Sequence, residues 1–187
     1  MINRIPVTDI SPVVFFGGDF VPVKAIAGEV IPVSATIFRE GHDALGADVV
    51  LYDSGKKEIA RAVMQEKWRG GDVYEGAVTI PARGDFTFTI DSYDHPFATW
   101  LHDAEIKIPA DIDAELMCAM GKKIFEEKLG QDPSAKALLS PAIKALGDST
   151  LSAMNRFSQT STQEIRSYFT RIWRSGWPPV SASASPI

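Results

Sequence analysis

Apolar positions along this chain follow two different periods, and the change falls near residue 110. Before it, short β-branched and aromatic runs alternate with polar residues or stand between turn residues, as in Val30–Arg39, Ala47–Tyr52, Tyr74–Ile80 and Asp85–Ile90. A period of two sends alternate side chains to opposite faces of a sheet, so these runs predict an antiparallel β-sandwich. Within Val30–Arg39, the residues Ile31, Val33, Ala35 and Ile37 share one face, and Pro32, Ser34, Thr36 and Phe38 the other. Pro32, near the start of the run, suggests a strand start or an edge, because proline cannot donate to a ladder. Pro12–Phe16 and Pro22–Ile26 read as earlier strands, interrupted by Gly17-Gly18 and closed by Gly28-Glu29. Glu58–Gln65 reads as a strand facing Val73–Ile80 across a Gly70-Gly71-Asp72 turn, with a short helix as the alternative. Phe86, Phe88 and Ile90 mark the clearest strand, and Phe97–Ile108 is expected as a last long one with Trp100, Ala104, Ile106 and Ile108 inward.

From Asp111 onward Ile112, Leu116, Ala119, Met120, Ile124 and Leu129 recur at close to helical spacing. Asp111 can cap this helix and Gly130 can end it. A second helix is predicted over Ser134–Leu146, with Leu138, Leu139, Ala142, Ile143 and Leu146 on one stripe and Pro141 kinking or dividing it. Ser149–Phe157 would be a short third. Ser161-Thr162-Gln163-Glu164 has the form of a capping box and precedes Ile165, Tyr168, Phe169 and Ile172 at helical intervals. Helices this apolar on one side should bundle together. Trp177–Ile187 has linker composition, and no repeat of solenoid period is present. The expected division is a sandwich over residues 1–110, a helical bundle over 111–175, and a linker or the start of a return to the sandwich over 176–187.

Composition narrows the function. The chain has 187 residues, 45% of them apolar, enough to bury a substantial core. Its 19 basic and 24 acidic residues leave a net charge of −5, which gives a nucleic-acid partner little electrostatic support. No apolar run approaches the roughly 20 residues of a membrane span, and Met1-Ile2-Asn3-Arg4-Ile5-Pro6 lacks a signal peptide's apolar stretch. The one cysteine, Cys118, excludes an internal disulfide and suits a reducing compartment, so the reading is cytoplasmic.

Candidate chemistry is sparse. His42, His95 and His102 show no metal-ligand spacing, so no metal or cofactor is assigned. Cys118, among Met117, Ala119 and Met120, reads as a core thiol. Asp103 and Glu105 would share a face of the predicted last strand; glycoside chemistry needs two carboxylates set apart across a sugar cleft, so a solvated face is the simpler reading. Gly17-Gly18 and Gly70-Gly71 are turn glycines, since neither opens a phosphate-binding strand–helix unit. No catalytic residue is assigned. Trp68, Tyr74 and Trp100 could stack on sugar rings, or else fill a core or interface. Arg39, Glu40, His42 and Asp43 crowd into one loop, either as a solvated loop or as a surface that docks on another domain or a partner subunit.

Four blocks occur in order: Arg4-Ile5-Pro6-Val7-Thr8-Asp9-Ile10-Ser11-Pro12-Val13; Pro22-Val23-Lys24-Ala25 with Gly28-Glu29; Phe38-Arg39-Glu40-Gly41-His42-Asp43-Ala44; and Pro96-Phe97-Ala98-Thr99-Trp100-Leu101-His102. Together they resemble the N-terminal region of the bacterial α-1,4-glucan:maltose-1-phosphate maltosyltransferases. The helical half is similar in position and character only. The resemblance implies α-amylase-type enzymes that extend α-1,4-glucan with maltosyl units from maltose 1-phosphate, using an Asp nucleophile and a Glu acid/base in a later barrel. It also implies an α+β fold, an immunoglobulin/fibronectin III-like antiparallel β-sandwich followed by an inserted α-helical bundle, implicated in dimer formation. Partners would be the catalytic barrel, a second copy and α-glucan. Nothing here matches the barrel, so the chain reads as a fragment, inactive alone and short of one sandwich strand. The rival readings are a stand-alone carbohydrate-binding module for α-glucan and an independent enzyme with an unrecognised site.

Overall fold

A computed structural model of the chain describes residues 5–68, 70–172 and 180–186. The chain divides into a sheet unit, Met1–Gly41 with Leu45–Asp94 and Pro178–Ile187, and a helical unit, His42–Ala44 with His95–Trp177. The strands are β1 (Val7–Ser11), β2 (Val14–Phe16), β3 (Asp19–Val21), β4 (Val30–Ile37), β5 (Leu45–Asp53), β6 (Glu58–Glu66), β7 (Val73–Thr79), β8 (Phe86–Asp94) and β9 (Val180–Pro186). Seven of them form one sheet in the order β1-β4-β7-β6-β5-β8-β9, every neighbouring pair antiparallel.

The alternation read in β4 is the alternation that folds. Ile31, Val33, Ala35 and Ile37 are buried against Val49, Leu51, Met64, Val78, Phe88 and Ile90, each such side chain contributing on the order of 1.5–3 kcal/mol when fully covered. The sheet curls where β6 meets β7. These strands pair only at Gln65↔Glu75 and Glu66↔Tyr74. Beyond that joint β7 lies over its neighbours so closely that a Cβ on Gly76 would stand 2.9 Å from Met64 Cγ and 3.3 Å from Val49 Cγ1.

The two ends of the sheet unit compare differently with expectation. Pro22–Ile26 is not a strand; the chain forms β1 and β2 on either side of Pro12 and returns through β3 instead. Of the two readings of this last segment, linker or return to the sheet, Val180–Pro186 takes the second: it is a strand running antiparallel to β8 from Ser92↔Val180 to Thr87↔Pro186. Residues 176 to 179 and Ile187, the rest of that segment, lie outside the described residues.

The helical unit contains α1 (Pro96–Lys107), α2 (Ala114–Gln131), a 3₁₀ turn (Pro133–Ala135), α3 (Lys136–Gly147), α4 (Ala153–Ser158) and α5 (Gln163–Ile172). Here the expected strand over Phe97–Ile108 is overturned. Phe97, Trp100, Ala104 and Ile108 are buried at spacings of three and four, which is helical. The start signal is local: Pro96 occupies the first turn and His95 Nδ1 accepts the Ala98 N–H at 3.2 Å.

α2 starts two residues later than expected, with Asp113 rather than Asp111 at its cap, and Gly130 lies inside it. Its buried face is Met117, Cys118, Gly121, Phe125 and Lys128, while Ile112, Leu116 and Met120 of the expected stripe are exposed. Volume decides this. Trp100 packs so near Gly121 that a Cβ there would meet the indole at 2.4 Å, and Trp100 Nε1 donates to the Met117 carbonyl at 2.7 Å. Phe97, Trp100, Phe125, Phe157 and Phe169 form one aromatic cluster, with Phe97 and Phe169 stacked at 4.0 Å.

Pro141 lies within α3 on its exposed side, and the helix runs through it. α5 is capped by Thr162, whose Oγ1 accepts the Ile165 N–H at 3.3 Å; the cap is one residue past the expected Ser161, and Ile165 in the third position has no polar side chain to complete a capping box. Ile165, Tyr168 and Phe169 are buried as the spacing predicts; the side chain of Ile172 is outside the described set.

Candidate functional site

The polar loop between β4 and β5 supplies the first set of expected contact residues. Arg39 is committed within the sheet unit, where its guanidinium is ion-paired with Asp94 at the end of β8. Glu40, His42 and Asp43 are exposed. The loop's end is pinned inside the helical unit: the Ala44 N–H donates to Thr99 Oγ1 at 2.8 Å and its carbonyl accepts the His95 N–H at 2.9 Å.

The three aromatic candidates do not form one platform. Tyr74 is buried in the sheet core, its phenol pushed up to about 12 by burial and by the nearby Glu66 and Asp72. Trp100 is buried in the helical cluster with its N–H spent on Met117. A sugar ring needs an accessible face, and of the three only Trp68 has one: it is 53% exposed, with the Lys67 ammonium 5.7 Å from its ring centroid.

Asp103 and Glu105 sit on a helix, not a strand, and diverge. Asp103 accepts from Lys107 at 2.9 Å, and Glu105 pairs with Arg166 at 2.7 Å. His95, by contrast, is held neutral. Desolvation lowers it to about 4, and its Nδ1 must stay unprotonated to cap α1. Burial pushes the Cys118 thiol up, away from the reactive thiolate. Among the described residues no group of three His, Cys, Asp or Glu could hold a metal ion, and no helix is long and apolar enough to cross a membrane.

The densest charge cluster was not legible in the sequence. Asp48 and Asp91 are opposed directly across the β5–β8 ladder, both buried, and Arg61 of β6 reaches them with Nη1 at 3.4 Å and 2.8 Å. Glu58 holds the other side of the guanidinium at 2.8 Å, and the Tyr93 hydroxyl donates to Asp48 at 3.4 Å. Like charges face to face are destabilising unless a cation lies between them. Glu58 and Asp91 raise the Arg61 pKa further, against the opposing effect of burial, so the guanidinium never gives up its proton. Both carboxylates therefore answer to one fixed cation and leave no room for a sugar and a water between them. The cluster is structural.

The surface that does stand out is β2–β3. Gly17 and Gly18 both have positive φ, 65° and 90°, the backbone that closes a two-residue hairpin. Val14↔Val21, Phe15↔Phe20 and Phe16↔Asp19 pair across it, and this two-stranded sheet is separate from the seven-stranded one. Phe15, Phe16 and Phe20 are 62%, 77% and 61% exposed. Phe15 and Phe20 touch edge-to-face at 5.3 Å on one side, while Phe16 and Val14 lie on the other. The sequence carried β2, inside the expected strand Pro12–Phe16, and the Gly17-Gly18 turn; β3 has only three residues, too few for periodicity to reveal.

Residues 3–175 match the family model described as "Alpha-1,4-glucan:maltose-1-phosphate maltosyltransferase, domain N/S". Two enzymes of Streptomyces coelicolor, alpha-1,4-glucan:maltose-1-phosphate maltosyltransferases 2 and 1, are 38% and 36% identical to it over 172 and 173 residues, 91% of this chain in each case. The enzyme of that name from Arcanobacterium haemolyticum is 33% identical over 171 residues, 90% of this chain. The matched part is 25%, 25% and 24% of these relatives, so the chain spans about a quarter of their length. A match over nearly the whole chain, to a region defined within those enzymes, fixes the assignment: the chain belongs to the α-1,4-glucan:maltose-1-phosphate maltosyltransferase family, as its N-terminal N/S region.

Proposed function

We propose that this chain is the non-catalytic N-terminal part of an enzyme that transfers maltosyl units from maltose 1-phosphate to α-1,4-glucan, and that it scaffolds the dimer and supports a catalytic barrel carried elsewhere in the polypeptide. The carrying observation is the match itself, which covers residues 3–175 here and only a quarter of the relatives. The locked Asp48–Arg61–Asp91 cluster supports the non-catalytic reading, because neither carboxylate is available as nucleophile or acid. The reading includes a cytoplasmic location, consistent with a single buried thiol.

An immunoglobulin/fibronectin III-like sandwich is part of the proposal. Its support is the strand order, which separates at the two-pair β6–β7 joint into β1-β4-β7 and β6-β5-β8-β9, with shared core residues from both groups. The dimer reading gains support from Ile112, Leu116 and Met120, an apolar stripe on and just before α2 that the helical unit leaves uncovered. A contact with α-glucan would fall on Trp68.

The test compares the complete enzyme with a form lacking residues 1–187. The reading expects loss of the dimer in sedimentation and at least a tenfold fall in transfer to glucan; an unchanged dimer with unchanged transfer overturns it.

A further inference from the structure

A two-stranded hairpin is marginal by itself in water, because its few cross-strand contacts do not outweigh the cost of ordering it. β2–β3 is more than marginal in another sense. Across eight residues, Val14–Val21, it turns three phenylalanines and a valine outward. Water-facing aromatic surface concentrated in this way marks an interaction site rather than an ordinary surface.

The arrangement of the side chains says what shape of partner fits. Phe15 and Phe20 are a cross-strand pair and project from one face; Phe16 and Val14 alternate with them and project from the other. A flat partner would cover one face and leave the other wet. An apolar cleft that takes the hairpin between two walls covers both. The hairpin carries a single charged side chain, Asp19, whose Oδ1 accepts the Phe20 N–H at 2.8 Å, so the cleft needs no charge complement.

Two features favour an occupant from the same polypeptide over a second copy. The hairpin lies inside the region that the family model defines as a part of the maltosyltransferases, and three quarters of each relative's length lies outside that region. A socket for it therefore has ample chain to come from. The uncovered stripe of α2, a single flat face, has the geometry that a two-fold interface needs, and the hairpin does not.

We infer that β2–β3 is a wedge that inserts, through Phe15, Phe16 and Phe20, into an apolar cleft on the remaining part of the same maltosyltransferase polypeptide. This rests on the reading of the chain as a region of a longer enzyme and names the contact by which it is held. Insertion buries aromatic rings on both faces, fixes the hairpin, and couples its folding to that of the remainder.

The experiment is hydrogen exchange on the complete enzyme, with the 187-residue chain alone for reference. Peptides over residues 13–21 should be protected at least a hundredfold in the complete enzyme and exchange at the earliest times in the chain alone. In the complete enzyme the variant Phe15→Ser/Phe16→Ser/Phe20→Ser should lose that protection, with β4, β5 and β8 unchanged, and should melt several degrees lower. Equal exchange in both contexts overturns the wedge. Protection that vanishes on dilution to the monomer also overturns it, assigning the hairpin to a second copy. Maltosyl transfer measured on the same samples tests the functional reading separately, so an active enzyme with an unprotected hairpin rejects only the wedge.

Discussion

At the scale of single residues, the folded state is tuned by groups that only the packing reveals. His95 is neutral when folded, with its titration lowered to about 4, and titrates near 6.5 when unfolded. Between these values the unfolded chain binds the extra proton, so stability falls as the pH drops through this window, by at most about 3 kcal/mol in all. Urea unfolding at about pH 7 and about pH 5 should show the loss, and His95→Asn, which keeps a capping oxygen, should flatten that slope. A slope identical in the variant would mean that other groups carry it. Arg61 is the second such residue. Arg61→Leu leaves Asp48 and Asp91 opposed without their cation and should cost about 3 kcal/mol or more, measured by the same unfolding, while adding Asp48→Asn and Asp91→Asn should restore part of it. No sequence pattern pointed to this cluster, because which residues face each other across β5 and β8 is set by register.

At the scale of elements, legibility followed the ratio of local to tertiary information. β4 was plain because its alternating Ile31, Val33, Ala35 and Ile37 match a one-sided core. α1 differs from the expected strand because Phe97, Trp100, Ala104 and Ile108 carry a helical interval and His95-Pro96 a start signal, whereas Ile106, inward in an alternating pattern, is exposed. α2 carries two apolar stripes, and sequence alone could not say which one meets Trp100. Gly121 decides it, because without a Cβ it leaves room for the indole. Gly121→Ala should gain helix propensity yet lose about 1–3 kcal/mol through overpacking, read as a lower Tm. A higher Tm would show that the α1–α2 approach is looser than described.

At the scale of the whole molecule, the sequence blocks led to the right family, and the match over residues 3–175 confirms that membership. Of the seven residues singled out for docking or sugar contact, Arg39 is tied to Asp94 and Tyr74 and Trp100 lie in cores, while Trp68, Glu40, His42 and Asp43 remain at the surface. The α2 stripe belongs to this scale too. For the proposed dimer of the complete enzyme, Leu116→Lys/Met120→Lys should shift association toward monomer by at least tenfold in sedimentation, with helicity unchanged; unaltered association would remove α2 from the proposed interface.

The most direct measurement is phosphate release from maltose 1-phosphate in the presence of α-1,4-glucan, followed with the purified 187-residue chain and with the complete enzyme side by side. Turnover is expected from the complete enzyme and none above background from the chain. Sustained phosphate release by the chain alone, with glucan lengthening to match, would contradict it.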